Sequence, residues 1–324
     1  MRFCIYGAGA IGGFLGSLLA RSGNAVTFIA RGENLRAIRD NGLILEMGGE
    51  RLPSKPRAVA SAEEAGEQDC VILTVKAPAL PAIVPTLRPM IGPETTVVTA
   101  MNGIPWWFFH GFGKFSGLQL KSIDPDGALM RALDPARIIG CVLHVAASVP
   151  APGVVRHNNQ NKFFVGEPSG QLTKRLASIV EAFKTAGIGA VASAEIQNEY
   201  WIKLLGNMTY APVSVLTGAT NDVIGTEPGL RAVCRQMIVE AIQVGRHFGL
   251  KEGMSPDERI DLGANLKGFR TSMLQDLDKS RPVELDAICL VVAEMARLAG
   301  VPVPTLDAVF ALAVQRARIA GCYR

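Results

Sequence analysis

The first residues of the chain, MRFCIYGAGAIGG, limit its fold more than any other stretch of the sequence. The run RFCIYG predicts a β-strand, and Gly7, Gly9 and Gly12 follow it in the pattern G-x-G-x-x-G. In a strand–turn–helix unit the first glycine permits a tight turn, the second lets the backbone approach a pyrophosphate, and the third lets helix and strand pack closely. Because the required helix, GGFLGSLLARSG, follows at once, the pattern predicts a dinucleotide site rather than merely a tight turn.

The start of this helix is where the phosphates of a dinucleotide are expected to bind. The free N–H groups of the first helical turn and the positive end of the helix dipole both favour an anion. The predicted cofactor contacts in the loop are Gly7, Gly9, Ala10, Ile11 and Gly12.

The end of the second predicted strand, AVTFIA, indicates which dinucleotide binds. NAD-dependent enzymes commonly have Asp or Glu there, which binds the ribose hydroxyls. This chain has Arg31, whose guanidinium can pair with a 2′-phosphate, although Glu33 lies close in sequence. The position therefore favours NADP(H) over NAD, and the alternative is a solvated surface arginine.

The order of predicted elements along the chain indicates two domains. In the first half, β-rich runs alternate with helical patterns, and CVILTV and TTVVTAMNG are typical of buried parallel strands. Helical patterns dominate the second half, at residues 195–210, 230–248, 265–277, 283–299 and 306–320. We therefore predict an α/β protein, with an N-terminal Rossmann-type doubly wound sheet in residues 1–193 and an all-helical C-terminal domain in residues 194–324.

Charge and composition exclude several classes of partner. The net charge is only +4, from 33 basic and 29 acidic residues without a Lys/Arg block, so nucleic acid is not implied and a small anionic ligand is favoured. No stretch is long and apolar enough to span a membrane, and no His, Cys or carboxylate cluster has the spacing of metal ligands. The six cysteines are far apart, which predicts free thiols and a cytoplasmic location.

A second stretch, EYWIKLLGN, contains a lysine within an apolar helical pattern. Lys203 and Asn207 are four residues apart and therefore lie on one face of the predicted helix. From this spacing alone the favoured interpretation is a lysine whose stem covers apolar surface while its ammonium reaches water.

Several motifs together resemble the ketopantoate reductase (2-dehydropantoate 2-reductase) family. They are GAGAIGG, TVKA, MNG, PGVVRH, VGEP, EYWIKLLGN and SMLQDLDKSRPVELD, and they extend over nearly the whole chain. The glycine pattern is common to many dehydrogenases, whereas the combination of W-x-K-L-x-x-N with S-M-L-Q-D and a Glu twelve residues after the Ser is specific to this family. The resemblance implies an NADPH-dependent reduction of a 2-oxo acid to a 2-hydroxy acid, in a cleft between a Rossmann domain and a helical domain.

The resemblance assigns the catalytic roles to Lys203 and Glu284. When hydride reaches a carbonyl carbon, the oxygen becomes an alkoxide that needs a positive group and a proton. Lys203 supplies both, and partial burial would lower its pKa towards neutrality. Glu284 resembles the family's carboxylate that orients the substrate and balances the lysine, and its alternative is a surface helix glutamate.

The remaining site residues also follow from the matched motifs. Asn207 would hydrogen-bond the substrate on the same side as the lysine, and Ser272 resembles the hydroxyl that holds the substrate carboxylate. Asn102 and Lys76 follow strand ends, where doubly wound sheets bind ligands. Lys76 occupies the family's place for a lysine that contacts cofactor and substrate, and Asn102 is expected to contact both. The alternative for Ser272 is a helix N-cap.

The chain departs from the family pattern at three positions. Ala211 stands where the family has a second asparagine, and Cys289 and Leu290 replace an Asn-Gly pair. These changes remove a polar substrate contact and make the pocket more apolar.

The leading hypothesis is reduction of ketopantoate to pantoate. The alternatives are a reductase of another branched or bulky 2-oxo acid and a non-catalytic NADPH-binding sensor, and the retained site residues weigh against the sensor.

An aromatic segment, WWFFHGFGKF at residues 106–115, contains six aromatic side chains in ten positions. The favoured interpretation is packing, either under a domain junction or in a homodimer contact. The alternative is a wall of the substrate pocket.

Overall fold

A ten-stranded sheet forms the centre of the first half of the protein. The computed structural model describes residues 1–324. Its strands are β1 (Arg2–Tyr6), β2 (Ala25–Ile29), β3 (Leu43–Met47), β4 (Glu50–Ser54), β5 (Arg57–Val59), β6 (Gln68–Leu73), β7 (Ile91–Ala100), β8 (Ile138–Ala151), β9 (Val154–Gly166) and β10 (Ala190–Ala192). They lie in the order β4-β3-β9-β8-β7-β6-β1-β2-β5, and β10 pairs with β9.

Backbone contacts divide the chain into two units. The first unit comprises residues 1–101, 109–117 and 128–196, and the second comprises residues 102–108, 118–127 and 197–324. Two segments of the first half of the sequence therefore belong to the second unit. One of them carries Asn102, which places that residue in the same unit as the helix of Lys203.

Most strand pairs of the sheet are parallel, as the apolar strands predicted, but two pairs are antiparallel. In one of them, β8 and β9 are joined only by Pro152 and Gly153, a connection too short for the crossover that a parallel pair requires. In the other, Gly48 and Gly49 join β3 to β4, and both have positive φ, as hairpin turns with two central residues demand. The runs GVVRHN and KFFVGE both contribute to β9.

Six helices flank or extend the sheet of the first unit. They are α1 (Ala10–Arg21), α2 (Gly32–Asn41), α3 (Ala62–Ala65), α4 (Leu80–Ile83), α5 (Ala128–Ala132) and α6 (Lys174–Thr185), with 3-10 turns at Ala77–Ala79, Val84–Met90, Gly113–Phe115 and Pro135–Arg137. Helix α1 lies directly on the strands, because Phe14 and Leu15 are fully buried in the core with Phe28 and Phe163. Burial of each such side chain stabilises the fold by about 1.5–3 kcal/mol.

The second unit is helical. Its helices are α7 (Ile196–Thr217), α8 (Asn221–Thr226), α9 (Pro228–Phe248), α10 (Pro256–Ala264), α11 (Ser272–Asp278), a π-helix (Asp286–Leu290), α12 (Val291–Ala299) and α13 (Pro304–Ile319). The α/β class, with a Rossmann-type sheet followed by helices, is thus confirmed. No helix combines the length and the apolar character needed to cross a membrane.

The predicted helix at residues 265–277 is correct from residue 272 onward and wrong for residues 265–271. Helix α10 ends at Ala264, and a new helix begins only at Ser272. Gly268 lies between them with φ +66°, which a continuous helix cannot contain, and Thr271 caps the second helix by accepting the N–H of Leu274. The apolar spacing ran across the turn, so periodicity alone extended the helix back over residues 265–271.

Candidate active site

The glycine turn has the geometry that its sequence predicts. Gly7 follows β1 with φ +113°, a backbone conformation that residues other than glycine rarely adopt. A Cβ on Gly12 would lie 2.0 Å from the carbonyl oxygen of Gly7, so α1 can approach the turn only because Gly12 has none. The hydroxyl of Thr74, at the end of β6, lies 2.9 Å from the same oxygen and ties the neighbouring strand to the turn. Sequence reasoning missed Thr74, although it begins the motif TVKA.

The N-terminus of α1 can accept an anion. Gly9 is its N-cap and provides no side-chain cap, and the first turn contains no acidic residue. A Cβ on Gly9 would meet nothing within 4 Å, so open space adjoins the first helical N–H groups. Unsatisfied N–H groups beside open space are what a pyrophosphate requires. Gly9, Ala10 and Ile11 therefore fit the phosphate-binding role expected of them.

Arg31 lies beyond the end of β2, as expected. It is exposed, it is the N-cap of α2, and its side chain forms no ion pair with Glu33. Nearby, Asn34 donates to the carbonyl of Ala8 over 3.2 Å, which fixes the glycine turn from the α2 side. Arg31 thus stands at the strand end that selects the nucleotide, with its guanidinium available to a 2′-phosphate.

Lys76 lies at the same edge of the sheet as the glycine turn. Leu73, at the end of β6, pairs with Tyr6, at the end of β1, so the residues that follow both strands share one edge. Lys76 is partly buried and is the N-cap of the 3-10 turn Ala77–Ala79. This edge is where doubly wound sheets bind their ligands.

In the second unit, Lys203 and Asn102 are directly bonded. The Nζ atom of Lys203 donates to Oδ1 of Asn102 over 2.6 Å. Both residues are only partly exposed, and Lys203 lies between the buried Trp201 and Leu204 on α7. The bond fixes the direction of the ammonium, so the interpretation of a lysine that merely reaches for water does not describe this side chain.

Asn207 lies one helical turn after Lys203 on α7. A buried arginine forms a hydrogen bond with the backbone at the start of this turn. Arg259 of α10 donates from Nη1 to the carbonyl oxygen of Ile202 over 2.7 Å and is 6% exposed. Its burial lowers the pKa of the guanidinium. Sequence reasoning missed Arg259, because neither its burial nor its partner is visible in local spacing.

Ser272 is exposed at the start of α11. The N-cap of α11 is Thr271, so the alternative interpretation of Ser272 as a helix N-cap is wrong. The Thr271 hydroxyl also lies 2.6 Å from that of Ser214, which attaches the start of α11 to α7. Glu284 is 8% exposed, so it is not a surface glutamate, and it lies two residues before the π-helix.

The loop of Asn102 is docked on that π-helix. The N–H of Ile104 donates to the carbonyl of Ala287 over 2.9 Å. Gly103 has φ +81°, and a Cβ there would lie 2.6 Å from the Cβ of Ala287, so only glycine allows this approach. Because Ala287 is three residues after Glu284, the loop that holds the Lys203 ammonium is anchored beside the segment of the candidate carboxylate.

The positions that depart from the family pattern are mostly buried. Ala211 is 5% exposed, and Cys289 is fully buried with Sγ 4.0 Å from the carbonyl oxygen of Met208 on α7. Burial raises the pKa of the Cys289 thiol, so it stays neutral. Cys289 thus packs the π-helix against α7, and Leu290 alone of the three is partly exposed.

The aromatic segment is divided between the two units. Residues 106–108 belong to the second unit and residues 109–115 to the first, and its first four aromatic side chains are buried. Trp107 makes an edge contact with Tyr200 of α7, with ring centroids 5.6 Å apart. Phe109 contacts Phe112 within the first unit. These contacts pack the segment within each unit.

A mostly parallel sheet with a glycine turn at one strand end, followed by a helical unit that carries a bonded lysine and a buried glutamate, defines a Rossmann-type oxidoreductase. Family models give the particular family. Residues 3–170 match ketopantoate reductase PanE/ApbA, and residues 195–317 match the C-terminal part of the same family. The chain belongs to the ketopantoate reductase family.

Individual relatives agree with this membership. A 2-dehydropantoate 2-reductase from Mesorhizobium japonicum is 42% identical over 325 residues, which cover 100% of both chains. A crystal structure from Ralstonia solanacearum, provisionally assigned as a ketopantoate reductase, is 42% identical, covers 99% of each chain and superposes with a TM-score of 0.95. The 2-dehydropantoate 2-reductase of Methylococcus capsulatus is 25% identical over 99% of this chain and 98% of its own, with a TM-score of 0.82.

Proposed function

We propose that this protein reduces 2-dehydropantoate (ketopantoate) to pantoate with NADPH, the 2-oxo acid reduction of pantothenate biosynthesis. The observation that carries the proposal is the bond from Lys203 Nζ to Asn102 Oδ1, which holds a proton donor in a fixed direction. The full-length relative at 42% identity bears the name of this activity.

The residues of the first unit fit the cofactor. In this proposal residues 1–193, apart from the segments 102–108 and 118–127, bind NADP(H), with the pyrophosphate on the N–H groups at Gly9, Ala10 and Ile11 and the 2′-phosphate on Arg31. Lys76 contributes a cation at the same sheet edge. When bound, the cofactor supplies a hydride to the carbonyl carbon of the substrate.

The residues of the second unit supply the rest of the chemistry. Residues 194–324, with the loop of Asn102, contact the 2-oxo acid. Lys203 donates a proton from Nζ to the carbonyl oxygen, and its positive charge stabilises the alkoxide as it develops. Asn102 orients the ammonium, and Glu284 orients the substrate and balances the charge of Lys203. Asn207 and Ser272 hold the substrate on the same side.

The six cysteines support a reducing compartment. All of them are free and buried in the folded chain. Free thiols are typical of cytoplasmic proteins, and we therefore propose a cytoplasmic location.

The direct test is NADPH oxidation by the purified protein with ketopantoate, alongside a panel of other branched and bulky 2-oxo acids. We expect ketopantoate to give the highest kcat/KM of the panel. A higher value for another 2-oxo acid would keep the mechanism and replace the substrate. NADPH binding without oxidation by any 2-oxo acid would overturn the proposal in favour of a sensor.

A further inference from the structure

The last residues of the chain contact the segment of Glu284 from both sides. The N–H of Val283, one residue before Glu284, donates to the carbonyl oxygen of Cys322 over 3.1 Å. The hydroxyl of Tyr323 donates to the carboxylate of Asp286, two residues after Glu284. Two hydrogen bonds from the C-terminal tail therefore bracket the candidate carboxylate.

The tail is itself fixed at the end of α13. The N–H of Cys322 donates to the carbonyl oxygen of Ala317 over 2.8 Å, and Cys322 is 3% exposed. The guanidinium of Arg318 lies 5.7 Å from the ring centroid of Tyr323, within the range of a cation–π contact. A backbone hydrogen bond, the burial of Cys322 and the cation–π contact thus hold the tail in place. A shift of the tail would therefore also shift the residues that it contacts.

Asp286, which accepts the hydrogen bond from Tyr323, is the first residue of the π-helix. π-Helical turns frequently occur at functional sites. Burial raises the pKa of the Asp286 carboxyl, and the hydrogen bond from Tyr323 opposes this rise. A partly buried carboxylate without a donor carries a desolvation cost, so loss of the phenol favours movement of this turn.

We propose that Tyr323 is a positioning residue that acts through Asp286 to hold Glu284 in the orientation used for reduction. This inference rests on the proposed function, since it assigns Glu284 a role in that reaction. The C-terminal contacts to Asp286 and Val283, which we name the tail latch, bracket Glu284 in sequence. The docked loop at Ala287 adds a further fixed contact just after Asp286.

The kinetic test compares three substitutions in the full-length protein. Tyr323→Phe keeps the ring and removes the hydroxyl, and Asp286→Ala removes the acceptor. Each should lower kcat about threefold to tenfold, as expected for the loss of one hydrogen bond. Asp286→Asn retains an acceptor oxygen and should keep most of the wild-type kcat. Arg324→Ala, the next residue of the tail, is the matched control and should leave kcat unchanged.

The decisive measurement places Tyr323→Phe in a Glu284→Gln background. If Tyr323 acts through Glu284, the substitution should lower kcat only when Glu284 is present, whereas a general loss of stability would lower it in both backgrounds. The cofactor dissociation constant should stay unchanged in every variant. Equal effects in both backgrounds, or a wild-type kcat in Tyr323→Phe, would overturn the proposal.

Amide hydrogen exchange separates a failure of the tail latch from a failure of the proposed function. Peptides covering residues 283–290 should exchange about threefold to tenfold faster in Tyr323→Phe than in Arg324→Ala, whether or not the protein reduces a 2-oxo acid. Unchanged exchange would refute the latch. Faster exchange would show that the tail latch holds this segment. If Glu284→Gln then had a wild-type kcat, Glu284 would have no role in the reaction, and the inference would fail because that part of the proposed function failed.

Discussion

The Nζ atom of Lys203 donates a 2.6 Å hydrogen bond to Oδ1 of Asn102, although the two residues are 101 positions apart in sequence. Asn102 comes from a loop that follows the last residue of a sheet strand, and Lys203 comes from the first long helix of the second unit. The loop is itself bonded to Ala287 near Glu284. Three distant parts of the chain therefore define the surroundings of the proposed acid.

Replacement of Lys203 should remove most of the turnover. Acid catalysis acts mainly in the transition state, so Lys203→Ala should lower kcat by about 10²–10⁴ while NADPH still binds at the glycine turn. Steady-state kinetics and a cofactor titration measure both, with the exposed Lys267→Ala as control. Near-normal turnover in Lys203→Ala would remove this residue from the mechanism.

Asn102 should act through Lys203. A hydrogen bond to a charged group contributes about 1.5–3 kcal/mol, so Asn102→Ala should lower kcat by about tenfold to a hundredfold. In a Lys203→Ala background the same substitution should have little further effect, because the bonded partner is already gone. A double-mutant cycle in kcat measures this coupling, and fully additive losses would show that Asn102 acts independently of the lysine.

Arg31 should select the phosphorylated cofactor. It is exposed at the end of β2 with no ion pair to Glu33, so its charge is available to a 2′-phosphate. Arg31→Ala should weaken NADPH binding by about tenfold or more and leave NADH nearly unchanged. Arg36→Ala, an exposed arginine one turn further along α2, is the matched control. Equal affinity of the wild type for the two cofactors would contradict this prediction.

Ser272 and Asn207 should act on substrate binding. Ser272 is exposed at the start of α11 and Asn207 is one turn beyond Lys203 on α7, so both can offer a hydrogen bond to a 2-oxo acid. Ser272→Ala and Asn207→Ala should mainly raise KM, with a smaller loss in kcat. By contrast, Thr271→Ala removes a helix N-cap and should lower the melting temperature. A crystal complex with both side chains remote from the bound substrate would refute the assignment.

The cysteines should be unreactive in the folded protein. All six are buried, and burial raises the pKa of Cys4 and of Cys234 to about 12. A raised thiol pKa means that the reactive thiolate forms only at higher pH, so at neutral pH a disulfide reagent should label the native chain slowly. All six thiols should react once the protein is unfolded in denaturant. Rapid labelling of Cys4 or Cys234 without denaturant would contradict their burial.

Local sequence signals predicted much of the fold because the relevant contacts are close along the chain. The strand, glycine turn and helix at the N-terminus are one such unit, in which Gly7 and Gly12 meet five residues apart. The same local reasoning failed at residues 265–271, where apolar spacing continued across the turn at Gly268. It also missed the antiparallel pairing of β8 with β9, although the Pro152–Gly153 connection was visible in the sequence.

By itself, the sequence determined the α/β class, the glycine turn, the strand end occupied by Arg31 and the motifs of the reductase family, because each depends on neighbouring residues or on a recognisable pattern. Only the tertiary structure decided which side chains meet. It paired Lys203 with Asn102, set Arg259 against the carbonyl of Ile202, and brought Tyr323 to Asp286. Such contacts arise from the way distant segments pack to bury their apolar faces, and spacing along one segment carries no information about the partner that packing brings to it.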